Sequence, residues 1–327
     1  MRRREFLGIL GGAAGWPLAA RAQQPRPVIA LLGSGAADAS SSKGLMSMLD
    51  ASMREVGLSQ GQDYVFETRW AGSDASRFSP LAAELLALHP SAVVVSTILA
   101  ATAVQKLSRA VPIVGTGLNA PVATGLAASL AHPGGNITGV ATMAEDLQLK
   151  LFEMMRETLP GARRVMVMTN PTNASLQPML DLLTNRAAKD GLAIDVVSVS
   201  APADLDAAFA EMARQPAGAL FVQSDSSLSA LAERIIAQAL ALRMPTIGTY
   251  GAVFAKAGAL FAYSYDPTEA IQGVARLLKK ILGGAAPGEL PFEQPTKFIL
   301  FINIKTAKAL GIEIPPMLLA TADEVIE

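Results

Sequence analysis

The sequence predicts an α/β protein built as two doubly wound, Rossmann-like lobes joined by about three crossovers. Three observations carry this. Short β-branched runs alternate with longer segments of helical period, as in βαβ units around a parallel sheet. The rhythm restarts from Leu147, and each half holds about four or five βα units without a sequence repeat. One helix and one strand are left over at the end, and each can return to a different half. Such a return gives several chain crossings, and therefore a hinge in place of a free linker.

In the first half, residues 28–32 form the opening strand, followed by a Gly/Ser/Ala loop over 33–42. A helix fits 43–56, with Leu45, Met46, Leu49, Met53 and Val56 along one face. Strands are expected over 64–70, 92–95, 112–114 and 137–141, and helices over 80–88, 100–107 and 122–130. In the second half, helices are expected over 147–159, 176–189, 205–212 and 230–242. The strands between them are read at 164–168, 194–199, 219–222, 246–247 and 258–263. Residues 270–281 make a further helix with Ile271, Val274, Leu277, Leu278 and Ile281 on one face. A Gly/Pro-rich stretch over 283–295 is too punctuated for a core element. A last strand over 298–302 precedes a short helix over 306–310.

The chain has 327 residues, 51% hydrophobic and 17% charged, enough for two lobes with their own cores. Its first residues read as an export signal. Arg3, Arg4, Glu5, Phe6 and Leu7 form a twin-arginine motif, and a weakly apolar run over 8–18 follows. Ala20-Arg21-Ala22 then places small residues where a signal peptidase cuts, so residues 1–22 are expected to be removed after Ala22. The run is shorter than the about 20 apolar residues of a transmembrane helix. With no cysteine in the chain, a lipid-anchored form is excluded, and the expected location is the periplasm.

Cleavage would leave 23 basic and 27 acidic residues, taking the net charge from −1 to −4. Such a chain lacks the clustered basic charge that nucleic-acid binding rests on. With Cys 0, disulfides, thiolate nucleophiles and zinc–thiolate sites are all ruled out. The two histidines, His89 and His132, each precede a proline and read as loop residues, so no metal site, cofactor or catalytic base is expected. The segment from Gly115 to Ala120 matches the dinucleotide pattern G-x-G-x-x-A, but it follows the fourth strand and Pro121 interrupts the helix start.

Open parallel sheets bind ligands beyond the carboxyl ends of their strands. The residues there give one consistent chemistry. The first half offers Ser34, Gly35, Ser96, Thr97, Thr116 and Asn119. The second offers Asn170, Asn173, Ser224, Asp225 and Tyr250, with Tyr265 at a crossover. Hydroxyls, amides and helix N-termini suit a carboxylate, Asp225 an ammonium, and the two tyrosines an apolar ligand body. The bland alternative is helix capping by Ser34, Ser96, Thr97, Ser224 and Asp225, a turn over 170–173, and packing by the tyrosines.

Three phrases are familiar as wording. Residues 129–139 (SLAHPGGNITG), 290–298 (LPFEQPTKF) and 303–326, from Asn303-Ile304-Lys305 to Glu324-Val325-Ile326, resemble recurrent segments of bacterial ABC-transporter substrate-binding proteins. This is the family that includes tryptophan- and tyrosine-type uptake proteins. The resemblance spans 28–326 and implies the type I periplasmic-binding-protein fold, with a ligand enclosed between two lobes. Crossovers near Gly139, Ser264 and Pro295 would assign 23–139 plus 265–294 to lobe one and 140–264 plus 295–327 to lobe two. Family members usually carry Asp-Pro-Val before the Gly-Gly-Asn phrase, whereas this chain has Ala120 in place of the acid. The function implied is that of a monomeric periplasmic component of an importer. It would bind an amino acid or related carboxylate and pass it to an ABC permease in the inner membrane. A sensor subunit for a membrane receptor is the alternative. An exported enzyme fits least, because no nucleophile–base pair can be assembled.

Overall fold

The computed structural model describes residues 26–215, 217–249 and 251–327. The export signal and its cleavage site lie outside the described residues. Two sheets, both almost entirely parallel, organise the chain. The first takes β1 (Val28–Gly33), β2 (Val65–Trp70), β3 (Ala92–Val95), β4 (Ile113–Asn119) and β5 (Ile137–Thr142) in the order β2-β1-β3-β4-β5. The second takes β6 (Arg164–Thr169), β7 (Ala193–Ser198), β8 (Ala219–Val222), β9 (Thr246–Gly248), β10 (Phe261–Tyr265), β11 (Phe298–Asn303) and β12 (Glu324–Ile326). Their order is β12-β11-β10-β9-β8-β6-β7, and among the described strands the β10–β11 pair alone is antiparallel. In both sheets the strand order reverses beside the first strand of the unit, the doubly wound arrangement predicted above.

Helices cover both faces of each sheet, which is why the central strands read as unbroken apolar runs. On the first sheet, α1 (Ser40–Glu55) lies on one face, while α2 (Phe78–Leu86) and α3 (Ile98–Leu107) lie on the other. On the second, α4 (Ala144–Thr158) and α5 (Leu176–Lys189) share a face. Its other face carries α6 (Leu205–Met212) and, beyond α7 (Ser226–Ala230), α8 (Ala232–Ala241) and α9 (Gly251–Ala257). After β10 the chain leaves the second sheet. Helix α10 (Pro267–Leu282) buries Ile271, Val274, Leu277, Leu278 and Ile281 with Ile29, Leu31, Val94 and Val114 of the first sheet. Residues 290–293 then run beside β5: Glu293 N–H donates to Gly139 and Ala141 N–H donates to Glu293, both at 2.9 Å. Only afterwards does β11 return to the second sheet, followed by α11 (Ile304–Leu310) and α12 (Pro316–Leu319).

The resembling phrases are explained by this frame. Gly139 (φ 150°) lies so close to Gly115 that a β-carbon on it would fall 2.4 Å from the Gly115 nitrogen. Asn136 Nδ2 donates to the carbonyls of Ser108 and Val111 at 3.1 and 2.7 Å. Thr138 Oγ1 donates to the Leu290 carbonyl at 2.8 Å, tying the first phrase to the second. In the third, Asn303 caps α11 by accepting from Thr306 N–H at 2.8 Å.

Several elements differ from the sequence reading. The helix expected over 122–130 is absent, and that segment is a series of turns. Pro121 removes a donor, while Ala120 (φ 45°) and Gly125 (φ 73°) take left-handed conformations incompatible with a helix. Strand β4 continues to Asn119 across a bulge between Gly115 and Leu118, so Thr116 lies within the strand and not after it. The helix read over 230–242 is α8, whereas the short α7 before it, α9, α12 and β12 were not anticipated.

Two crossovers run side by side and are laced by charge. Asp266 N–H donates to the Lys297 carbonyl at 2.9 Å, and its carboxylate pairs with Lys297 Nζ at 2.9 Å. Glu269 accepts from Thr296 Oγ1 and from the N–H groups of Thr296 and Lys297. The Lys297 ammonium holds the Asp266 carboxyl below its ordinary value of 3.8, and the Thr296 hydroxyl holds Glu269 below 4.5.

Two predictions follow from these backbones and charges. A left-handed conformation costs an L-residue about 1–2 kcal/mol, a penalty glycine escapes. Ala120→Gly is therefore expected to stabilise the protein by up to about 1 kcal/mol in urea denaturation, reversing the usual sign of an Ala→Gly change. Depressed carboxylates contribute stability above their unfolded values and lose it as pH falls through the folded ones. Melting temperature should therefore drop below pH 4.5, the ordinary value for Glu269, and Glu269→Gln should flatten that part of the curve.

Candidate functional site

A small cavity opens where the carboxyl ends of β4 and β5 face those of β8, β9 and β10. Its lining is Asn119 and Thr142 from the first sheet, Ser224, Thr249 and Tyr265 from the ends of the second sheet's strands, and Ala144, Leu147, Gln148 and Met179 from α4 and α5. One wall is polar and the other mostly apolar, with Ala144, Leu176 and Met179 packed as a small buried cluster.

The polar wall spans both sheets. Asn119 Oδ1 accepts from Thr142 Oγ1, which orients the amide so that Nδ2 donates to the Ser224 carbonyl at 3.3 Å. This bond joins the end of β4 to the end of β8. Thr249 Oγ1 donates to the Val222 carbonyl at 3.1 Å and is thereby fixed. Tyr265 approaches β4 closely: a β-carbon on Gly117 would fall 2.4 Å from its hydroxyl oxygen. The second glycine of the G-x-G-x-x-A match is thus explained by tyrosine packing. The absence of a helix after it removes the N-terminus that a nucleotide phosphate would need.

Of the twelve candidates from the sequence, the cavity brings together Asn119, Ser224 and Tyr265. Ser34, Gly35, Ser96, Thr97 and Thr116 gather at or near the carboxyl ends of β1, β3 and β4 but do not line it. Ser34 N–H donates to Ser96 Oγ at 3.0 Å, and Thr97 caps α3 by accepting from Ala100 N–H at 3.1 Å. Asn170, Asn173 and Asp225 form a separate cluster directly behind Ser224. Asp225 is 4% exposed and caps α7, its Oδ1 accepting from the N–H groups of Ser227 and Leu228 at 2.8 and 3.1 Å. Asn170 Nδ2 donates to the same oxygen at 3.3 Å and Asn173 Nδ2 to Oδ2 at 2.9 Å. Tyr250 lies outside the described residues. Ala120 is not part of the lining, so its departure from the family's acid touches backbone conformation rather than the cavity wall.

Sequence reasoning missed Thr142, Ala144, Leu147, Gln148, Met179 and Thr249. Thr142 and Thr249 do follow the strand-end rule, but β5 was read one residue short and β9 as only 246–247. The residues from α4 and α5 carry no such signal, because apolar positions on a helix look like core. Among the described residues, no group of three or more His, Cys, Asp or Glu side chains is gathered to hold a metal ion. No described helix is long and apolar enough to cross a membrane.

Two doubly wound sheets with a cavity between their strand ends, joined by adjacent crossovers, define a two-lobed binding protein of the type I periplasmic fold. The family model for ABC transporter substrate binding proteins matches residues 31–326, and the chain belongs to that family. It is 22% identical over 263 residues to the tyrosine-binding protein of Clostridioides difficile, covering 80% of this chain and 74% of that one. Among solved structures, it resembles an ABC domain from Streptococcus pneumoniae in complex with L-Trp, with 19% identity and a TM-score of 0.85 over 92% of this chain and 100% of the other. A ligand-free, open substrate binding protein with adhesive properties from Clostridium difficile matches at 18% identity and a TM-score of 0.65, covering 92% and 99%.

Losing an N-cap costs about 0.5–2 kcal/mol, and removing a shared buried acceptor strands the amides that used it. Asp225→Ala is accordingly expected to destabilise the protein by about 2–4 kcal/mol in chemical denaturation, without loss of secondary structure by circular dichroism.

Proposed function

We propose that this protein is the periplasmic solute-binding component of an ABC importer. It takes a small amino acid, aromatic in preference, between lobes 23–139 plus 265–294 and 140–264 plus 295–327, and delivers it to a permease. Export would use the twin-arginine signal over residues 1–22, consistent with a chain that crosses between lobes before it is complete. The observation that carries this reading is the cavity whose polar wall is assembled from both sheets through the Asn119–Ser224 bond. A ligand touching both walls favours their approach, because only the closed arrangement offers all of its contacts.

The chemistry suits an amino acid. Asn119, Thr142 and Thr249 present amide and hydroxyl groups to the polar end of a ligand. Leu147, Met179 and Tyr265 offer an apolar surface to its body. The strand-end groups Ser34, Ser96, Thr97 and Thr116, with Gly35, complete the proposed rim of the cleft.

Calorimetric titration of the mature chain with L-tryptophan and L-tyrosine is expected to give saturable one-to-one binding. Asn119→Leu should weaken it by tenfold or more, since it removes the group that bridges both lobes. A mature protein that binds neither these nor any other amino acid would refute the proposal.

A further inference from the structure

The cavity's apolar end contains a feature that packing alone does not require. Gln148 lies on α4 beside Ala144 and Leu147 and faces Met179 of α5, yet it is a primary amide only 1% exposed. Its Nε2 donates to the Met179 carbonyl at 2.6 Å, and its Oε1 accepts from Gln223 Nε2 at 3.3 Å. An amide offers two N–H donors and two lone pairs on oxygen, so these two bonds use half of its capacity. Gln223, immediately after β8, is fully buried and holds Gln148 from behind. Its Nε2 also donates to the Leu176 carbonyl at 3.2 Å, while its Oε1 has no partner among the described residues. Two amides are thus buried at the end where a hydrocarbon pocket would be served by Leu or Met. One of them lines the cavity with hydrogen-bonding capacity in reserve. Burying such groups is unfavourable unless something pairs with them.

We propose that Gln148 is the specificity-determining residue of this cavity. It selects ligands whose far end carries a hydrogen-bonding group, a phenol hydroxyl or an indole N–H, over ligands that end in hydrocarbon. Gln223 is its positioning residue. This rests on the reading of the cavity as an amino-acid site. The physical basis is asymmetric: a polar ligand atom completes the amide, whereas a hydrocarbon seals it away from water with its capacity unmet. Because the amide can donate or accept, it accommodates both a hydroxyl and an N–H. The apolar neighbours set the shape of the end, and Gln148 sets its chemistry.

The test is the ratio of affinities for L-tyrosine and L-phenylalanine, which differ by one hydroxyl, with L-tryptophan as a third probe. In the wild-type mature chain, calorimetry should show L-tyrosine or L-tryptophan bound at least tenfold more tightly than L-phenylalanine. Gln148→Met, similar in volume, should bring the three within about threefold of one another and leave L-phenylalanine binding as strong or stronger. Retained binding of L-phenylalanine shows that the variant is folded. Gln223→Met should narrow the ratio too, by releasing the Gln148 amide. Equal binding of all three by the wild type, or a ratio that survives both substitutions, overturns this inference and leaves the cavity's function standing. Failure of all three to bind the wild type overturns this inference, and the reading of the cavity falls with it only when every other amino acid also fails to bind.

Discussion

Burial of α10 against the first sheet is the interaction on which the rest of the architecture depends. That helix presents Ile271, Val274, Leu277, Leu278 and Ile281 to a face that α1 alone covers incompletely. Each fully buried side chain of this kind contributes about 1.5–3 kcal/mol, so the chain is drawn back after β10 although the second sheet is unfinished. The departure obliges a second return, through residues 290–293 beside β5, before β11 can pair antiparallel with β10. Two of the connections between the sheets therefore lie next to each other. Asp266, Glu269 and Lys297 sit there and tie the two connections together.

The sequence revealed the fold more readily than the site, for a physical reason. Strands buried on both faces leave continuous apolar runs, and helices on a sheet leave a striped face, so β3, β8 and α10 were plain from pattern alone. What failed was local. Residues 122–130 have helix-like composition, yet the left-handed turn at Ala120 and the proline after it prevent the helix from starting. The short α9 was hidden because its Gly- and Ala-rich sequence carries little periodicity. The three resembling phrases identify the family through its frame. They hold β5 to residues 290–293 and cap α11, and none contributes a residue to the cavity lining.

Within the site, the strand-end rule located Asn119 and Ser224, whose backbones stop where the sheet stops. It also collected Asp225 and Thr97, which are small polar residues at strand ends because the following helices need caps. The two roles share residue types and positions, and only the hydrogen-bond directions separate them. Gln148 shows the opposite blind spot. On a helix with Leu147 and Leu151 around it, a glutamine reads as an interruption of the core. Its meaning appears only when α5 and the end of β8 are brought against it.

The central claim is that a ligand sits between the two sheets and is held by both. A crystal structure of the protein carrying whatever ligand it retains through purification tests this most directly. The account predicts ligand density in contact with Asn119 and Thr142 on one side and with Ser224 and Gln148 on the other. Ligand density confined to one lobe, or at a site remote from these strand ends, would contradict it.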